Sequence, residues 1–187
     1  MLMHLPVFPA SQWGGTKPFN HARARFVPVS DKAAGPSKRA QVVLLVDDEL
    51  DIRDSLKLLL EAGIENIEVA TAESGAIALD TLSHRTIDLI ITDYKMPGMN
   101  GLEFLGHAQK IAPKVPRILV TAFPDLEIAI KAINEAGIEN FFTKPFEPDQ
   151  VLGVVRELLK EQRAQALRNQ SFARSIDMLR RGSETKK

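Results

Sequence analysis

Five short strand-like runs, the first and third of them apolar almost throughout, constrain this chain more than anything else in it. QVVLLVDDE starts at residue 41, NIEVATA covers 66–72, IDLIITD 87–93, PRILVTA 116–122 and ENFFTKP 139–145. Apolar runs of this length without alternation belong to strands covered on both faces. Between them lie stretches with helical spacing. One runs from Leu50 to Ala62, with Ile52, Leu56, Leu59 and Leu60 on one face, and stops at Gly63. A second, Glu73 to Ser83, turns Ile77, Ala78 and Leu82 inward. A third covers Gly101 to Lys110, and a fourth opens at Pro124 or Asp125, carries Leu126, Ile130 and Ile133, and stops at Gly137. The last begins near Pro148 and carries Val151, Leu152, Val155, Leu158 and Leu159. Strand and helix alternate five times, which predicts a doubly wound α/β fold: a parallel five-stranded sheet, helices on both faces, right-handed crossovers. The string AGIEN occurs at 62–66 and 136–140. It reads as one junction used twice: glycine helix cap, short loop, strand.

The chain has 187 residues, room for one domain with appendages. The absence of cysteine excludes a disulfide scaffold, cysteine-ligated zinc and thiol catalysis. No apolar run reaches the roughly 18 residues that span a bilayer, and MLMHLPVFPASQWGG lacks the basic start of a signal peptide, so a soluble cytoplasmic protein is expected. Charge is balanced overall, with 24 Lys+Arg and 24 Asp+Glu, but it is unevenly spread. Residues 1–40 hold six bases and one acid, residues 41–160 eleven bases and twenty acids, and residues 161–187 seven bases and three acids. Pro6, Pro9, Pro18, Pro28 and Pro36 interrupt the first segment, which is expected to be a disordered basic arm. The domain is expected over 41–160, and a helical basic extension and tail over 161–187.

In open parallel sheets ligands bind beyond the carboxyl ends of the strands. The first strand here ends in Asp47 and Asp48, the third in Asp93, the fourth in Thr121 and the fifth in Lys144. Three carboxylates, a hydroxyl and an ammonium are thereby directed to one edge. Each carboxylate pair at 4 Å repels by about 1 kcal/mol in water, and by several times that when partly buried. A divalent, oxygen-seeking cation relieves this, and Mg²⁺ suits a few carboxylates with phosphate oxygens as further ligands. Lys144 supplies a point donor for a phosphoryl oxygen. A carboxylate so placed can attack phosphorus and become an acyl phosphate. Singly, these residues have ordinary uses: Asp47 and Asp48 at a helix start, Asp93 in a turn before Pro97 and Gly98, Thr121 as strand filler. His4, His21, His84 and His107 are scattered without ligand spacing.

VLLVDDE (43–49), TDYKMPGMNG (92–101), LVTAF (119–123) and FFTKPF (141–146), in this order, resemble the receiver domain of bacterial two-component response regulators, of the chemotaxis-regulator type. The resemblance implies a flavodoxin-like sheet of order 2-1-3-4-5. It makes Asp93 the phosphoacceptor, served by a phosphohistidine of a sensor histidine kinase or phosphotransfer protein. It places Mg²⁺ on Asp47, Asp48, Asp93 and the backbone carbonyl of Lys95. Thr121 and Lys144 would meet phosphoryl oxygens, Thr121 and Phe141 would form the switch, and Pro145 matches the family's cis-proline site. Such a protein is no enzyme beyond its own phosphorylation and dephosphorylation. Lys95 departs from the neutral polar residues often found two places after the acceptor, and with Phe123 is expected to slow autodephosphorylation.

Only 27 residues follow residue 160, so a phosphorylation switch acting on a protein partner, without its own output domain, is expected. Alternatives are a phosphorelay intermediate and a non-phosphorylated pseudo-receiver. An aspartate-based phosphohydrolase would want an acid where Lys95 stands, and no G-x-G-x-x-G follows the first strand to bind a dinucleotide. The extension has poor heptads at Gln162, Ala166 and Asn169 and an apolar stripe at Phe172, Ile176 and Leu179. Three uses of this helix stand open, dimerisation, docking on a partner or a solvated basic tail, the first two favoured, with the face of the fourth helix and fifth helix as a second route to a homodimer. Neither DNA nor membrane is expected as a partner.

Overall fold

The computed structural model describes residues 39–122 and 136–184. The expected arm up to residue 38, the helix expected from Pro124 as far as residue 135, and Phe123 lie outside them. The elements are β1 (Gln41–Val46), α1 (Leu50–Gly63), β2 (Ile67–Ala72), α2 (Gly75–His84), β3 (Leu89–Asp93), α3 (Gly101–Ile111), β4 (Arg117–Thr121), β5 (Asn140–Thr143) and α4 (Pro148–Glu184). All strand pairs are parallel, in the order β2-β1-β3-β4-β5. Val46 stands opposite Ala72 and Thr92, Asp93 opposite Val120, and Thr121 opposite Thr143. The carboxyl ends therefore finish at one level, and whatever follows them shares an edge.

Strand alternation divides the apolar runs between two cores. Val42, Leu44, Val46, Ile90 and Leu119 meet Ala78 and Leu82 of α2 and Phe104, Leu105 and Ala108 of α3. Val43, Leu45, Leu89, Ile91, Ile118 and Val120 meet Leu56 and Leu60 of α1 and Val151, Leu152, Val155 and Leu159 of α4. Full burial of each such side chain contributes about 1.5–3 kcal/mol. Local signals agree with the packing. Ser74 Oγ caps α2 by accepting from Ile77 N, and Asn100 and Glu103 form a reciprocal capping box at the start of α3. The Lys144–Pro145 peptide is cis.

Two expectations are corrected. Ile77 does not face inward but is 44% exposed. With Ala78 and Leu82 one turn apart on the sheet, the residue before them is carried about 100° toward solvent, and Leu79 packs at the core margin instead. The two AGIEN copies also solve different problems. Gly137 adopts φ 57°, but in the first copy Asn66 is the left-handed residue, at φ 57°. Gly63 is needed there for space: a Cβ would lie 2.6 Å from Leu152 Cδ2, where α1 meets α4.

Helix α4 runs on beyond the domain. Its first turns bury Val151, Leu152, Val155 and Leu159, whereas Leu167, Phe172, Ile176 and Met178 are exposed. Among the described residues no helix is long and apolar enough to cross a membrane.

Candidate functional site

Asp47 directly follows β1. Its main-chain N–H donates to Ala72 O at 3.2 Å, seating it beside β2. Oδ1 accepts from Glu49 N at 2.9 Å, and Oδ2 lies 3.0 Å from Lys144 Nζ. Asp93 ends β3, with Oδ1 2.6 Å from the same Nζ and Oδ2 accepting from Lys95 N at 2.7 Å. Lys144 is brought in by the end of β5, where its N–H donates to Thr121 O at 2.7 Å. Helix α3 starts directly against the Asp93 main chain: a Cβ on Gly101 would lie 2.1 Å from Asp93 O, so only glycine fits.

Asp47, Asp93 and Thr121 are all buried. Burial raises the Asp93 pKa above its ordinary 3.8, with Asp47 adding repulsion, although Lys144 and the Lys95 N–H pull the other way. For Lys144 burial works downward, but bonds to Asp93 and Asp47 outweigh it and hold the pKa above the ordinary 10.5. The ammonium therefore stays charged at neutral pH.

The structure thus brings Asp47, Asp93 and Lys144 into direct contact, with Thr121 at the same edge. Phe141, paired in register with Leu119, is half-buried against the α2–α3 core on the sheet face that Thr121 shares. Asp48 follows Asp47 at the same edge with its side chain exposed. Among the described residues no three acidic or histidine groups form a ready metal cage. Two buried carboxylates already share one ammonium, and a third charge is less costly in water. The donors still suit Mg²⁺ chemically. They are hard oxygens, and the place between Asp47 and Asp93 already attracts a cation. A cleft of about 420 Å³ lined by Leu82, His84, Arg85, Ile87, Ala112 and Val115 lies at the opposite edge and contains none of these residues.

Sequence reasoning missed Arg53. It is buried in the first turn of α1 and donates from Nη1 to Asp47 O. Its signal was present: residues 53, 56 and 60 share the inward stripe, so a base stood where an apolar residue was due.

The site is thus a flush parallel edge that presents two buried aspartates to one lysine. The family model of the response regulator receiver domain matches residues 43–156, and the chain belongs to that family. Relatives include the hydrogenase transcriptional regulatory protein HoxA of Cupriavidus necator, 34% identical over 126 residues, which are 67% of this chain and 26% of HoxA. The response regulator protein TodT of Pseudomonas putida is 30% identical over 146 residues, 76% of this chain and 63% of TodT. The chain thus spans less than two thirds of either relative. The CheY-like receiver domain protein of Methanospirillum hungatei superposes with a TM-score of 0.63 at 33% identity, covering 67% of this chain and 98% of that one. Receiver domains are in general phosphorylated by histidine kinases, bind Mg²⁺ in an acidic pocket and signal rather than catalyse. The relatives include transcriptional regulators, so the expectation that DNA is no partner finds no support among them.

Proposed function

We propose that Asp93 accepts a phosphoryl group from a phosphohistidine and that the receiver, residues 41–160, then acts as a switch on a downstream protein. The observation that carries this is the buried Asp93 carboxylate, held by the Lys95 N–H on one oxygen and the Lys144 ammonium on the other. A carboxylate oxygen bonds to phosphorus as the P–N bond breaks, and the imidazole nitrogen leaves with the electron pair. Lys144 follows the charge onto a phosphoryl oxygen, and Thr121 meets another. Asp47, Asp48, Asp93 and the Lys95 carbonyl would hold Mg²⁺, which supplies charge neutralisation. Phe141 would follow Thr121 in reporting the phosphorylated state. The only reactions catalysed are the chain's own phosphorylation and dephosphorylation, in the cytoplasm. The basic extension at 161–187 serves contact with a second copy or a partner.

Intact mass after incubation with acetyl phosphate tests this. One phosphoryl group should be gained with Mg²⁺, and none without Mg²⁺ or in Asp93→Asn. No gain in the wild type, or a gain that survives Asp93→Asn, overturns the assignment. The exposed Lys95 side chain is expected to shield the acyl phosphate from water. Lys95→Ala should shorten the phosphoryl lifetime several-fold, and an unchanged decay rate removes that role.

A further inference from the structure

We infer that Arg53 is a positioning residue of the acidic site: its guanidinium holds the peptide plane between Asp47 and Asp48 and so sets how the two carboxylates face a cation. The inference rests on the metal-binding reading above. Arg53 is 9% exposed, although its neighbours Asp51 and Asp54 are exposed. Neither the helix nor the core accounts for it. A cation in a first turn faces the positive end of the helix dipole, and a guanidinium placed among Leu56 and Leu60 is costly to desolvate unless it is bonded. Its observed bond runs from Nη1 to Asp47 O, at 2.5 Å and buried.

That bond completes the fixing of Asp47. The residue is held at N by Ala72 O, at Oδ1 by Glu49 N and at Oδ2 by Lys144. Its carbonyl is the remaining polar atom, and Arg53 holds it. Because a peptide group is planar, fixing this carbonyl also fixes the N–H of Asp48 and the direction in which its Cα is presented. Asp48 itself is exposed and follows no strand ladder, so the plane before it is the part of its geometry that the fold controls. Partners that orient ligands in this way typically change metal affinity by 10–100-fold when lost.

The test is Mg²⁺ titration by calorimetry on the full chain, with thermal midpoints in metal-free buffer. Arg53→Met, which keeps the stem and loses the donors, should bind Mg²⁺ about tenfold more weakly, and Arg53→Lys, which keeps a donor, should recover part of the loss. Leu56→Ala removes packing from the same stripe. It should lower the midpoint while leaving Mg²⁺ affinity unchanged, which separates positioning from general destabilisation. Wild-type affinity in Arg53→Met overturns the inference. So does tighter binding, the result if the arginine acted only as a nearby positive charge, and so does equal weakening by Leu56→Ala. If the wild type takes up no phosphoryl group from acetyl phosphate, the proposed function fails. If it does so while Arg53→Met keeps its Mg²⁺ affinity, this inference alone fails.

Discussion

Strands β4 and β5 carry a cation at each end, and the two are answered in opposite ways. At the carboxyl edge the Lys144 ammonium is shared by the carboxylates of Asp47 and Asp93, at 3.0 and 2.6 Å. At the amino edge the buried Arg117 fork donates to neutral carbonyls, Nη1 to Gly137 at 2.9 Å and Nη2 to Ala112 and Pro113 at 3.2 and 3.1 Å. Burial lowers the Arg117 pKa, and Glu139 only partly opposes this. A planar fork spread over three loop positions is a clasp, closing the turn after α3 onto the approach to β5. A point charge between two carboxylates can change partners without moving the backbone. The first geometry stabilises, and the second is free to react.

That contrast can be broken at either end. The largest effect is expected from Lys144→Ala, which should slow phosphoryl uptake from acetyl phosphate about a hundredfold, as followed by mass against time. A rate within twofold of wild type would make the lysine as structural as the arginine. Arg117→Met should do the reverse. Orphaning buried carbonyls should cost about 2–3 kcal/mol in urea unfolding, with the uptake rate of the folded protein unchanged. A slowed rate would show that the edges are coupled.

The smallest effect sharpens the picture of the carboxyl edge. Because the folded-state pKa of Asp93 lies above its ordinary 3.8, the folded protein holds this proton more tightly than the unfolded chain. Ionising Asp93 therefore lowers stability as pH rises from the ordinary value through the folded one. In metal-free buffer at neutral pH, Asp93→Asn should raise the thermal midpoint by a few degrees. The difference should shrink toward zero as pH falls to the ordinary aspartate range. A lower midpoint for the variant at neutral pH would mean that Lys144 outweighs burial.

The architecture was legible because its signals are local and mutually consistent. Runs such as VVLLV and LII suit only a strand with cover on both sides, and the spacing of residues such as Leu56 and Leu60 sets an inward helical stripe between them. Asp47, Asp93 and Lys144 were legible as a group because each closes such a run. Ile77 was misplaced because helical periodicity leaves the stripe uncertain by one residue at its margin, and only the packed sheet decides where cover ends. Gly63 was misread because a glycine at a helix end looks the same whether it supplies a turn or makes room for Leu152.

The sequence by itself determined five parallel strands, the helices that follow the first three and the last of them, and the acids and lysine at the strand ends, because apolar periodicity and turn chemistry act over a few residues. Only the tertiary structure decided that Lys144, 97 positions from Asp47, bridges it to Asp93, that Asp48 stays in water, and that Arg53 and Arg117 are buried against carbonyls. Those outcomes depend on desolvation and on the distance between charges, and both are defined only once distant segments have been packed together.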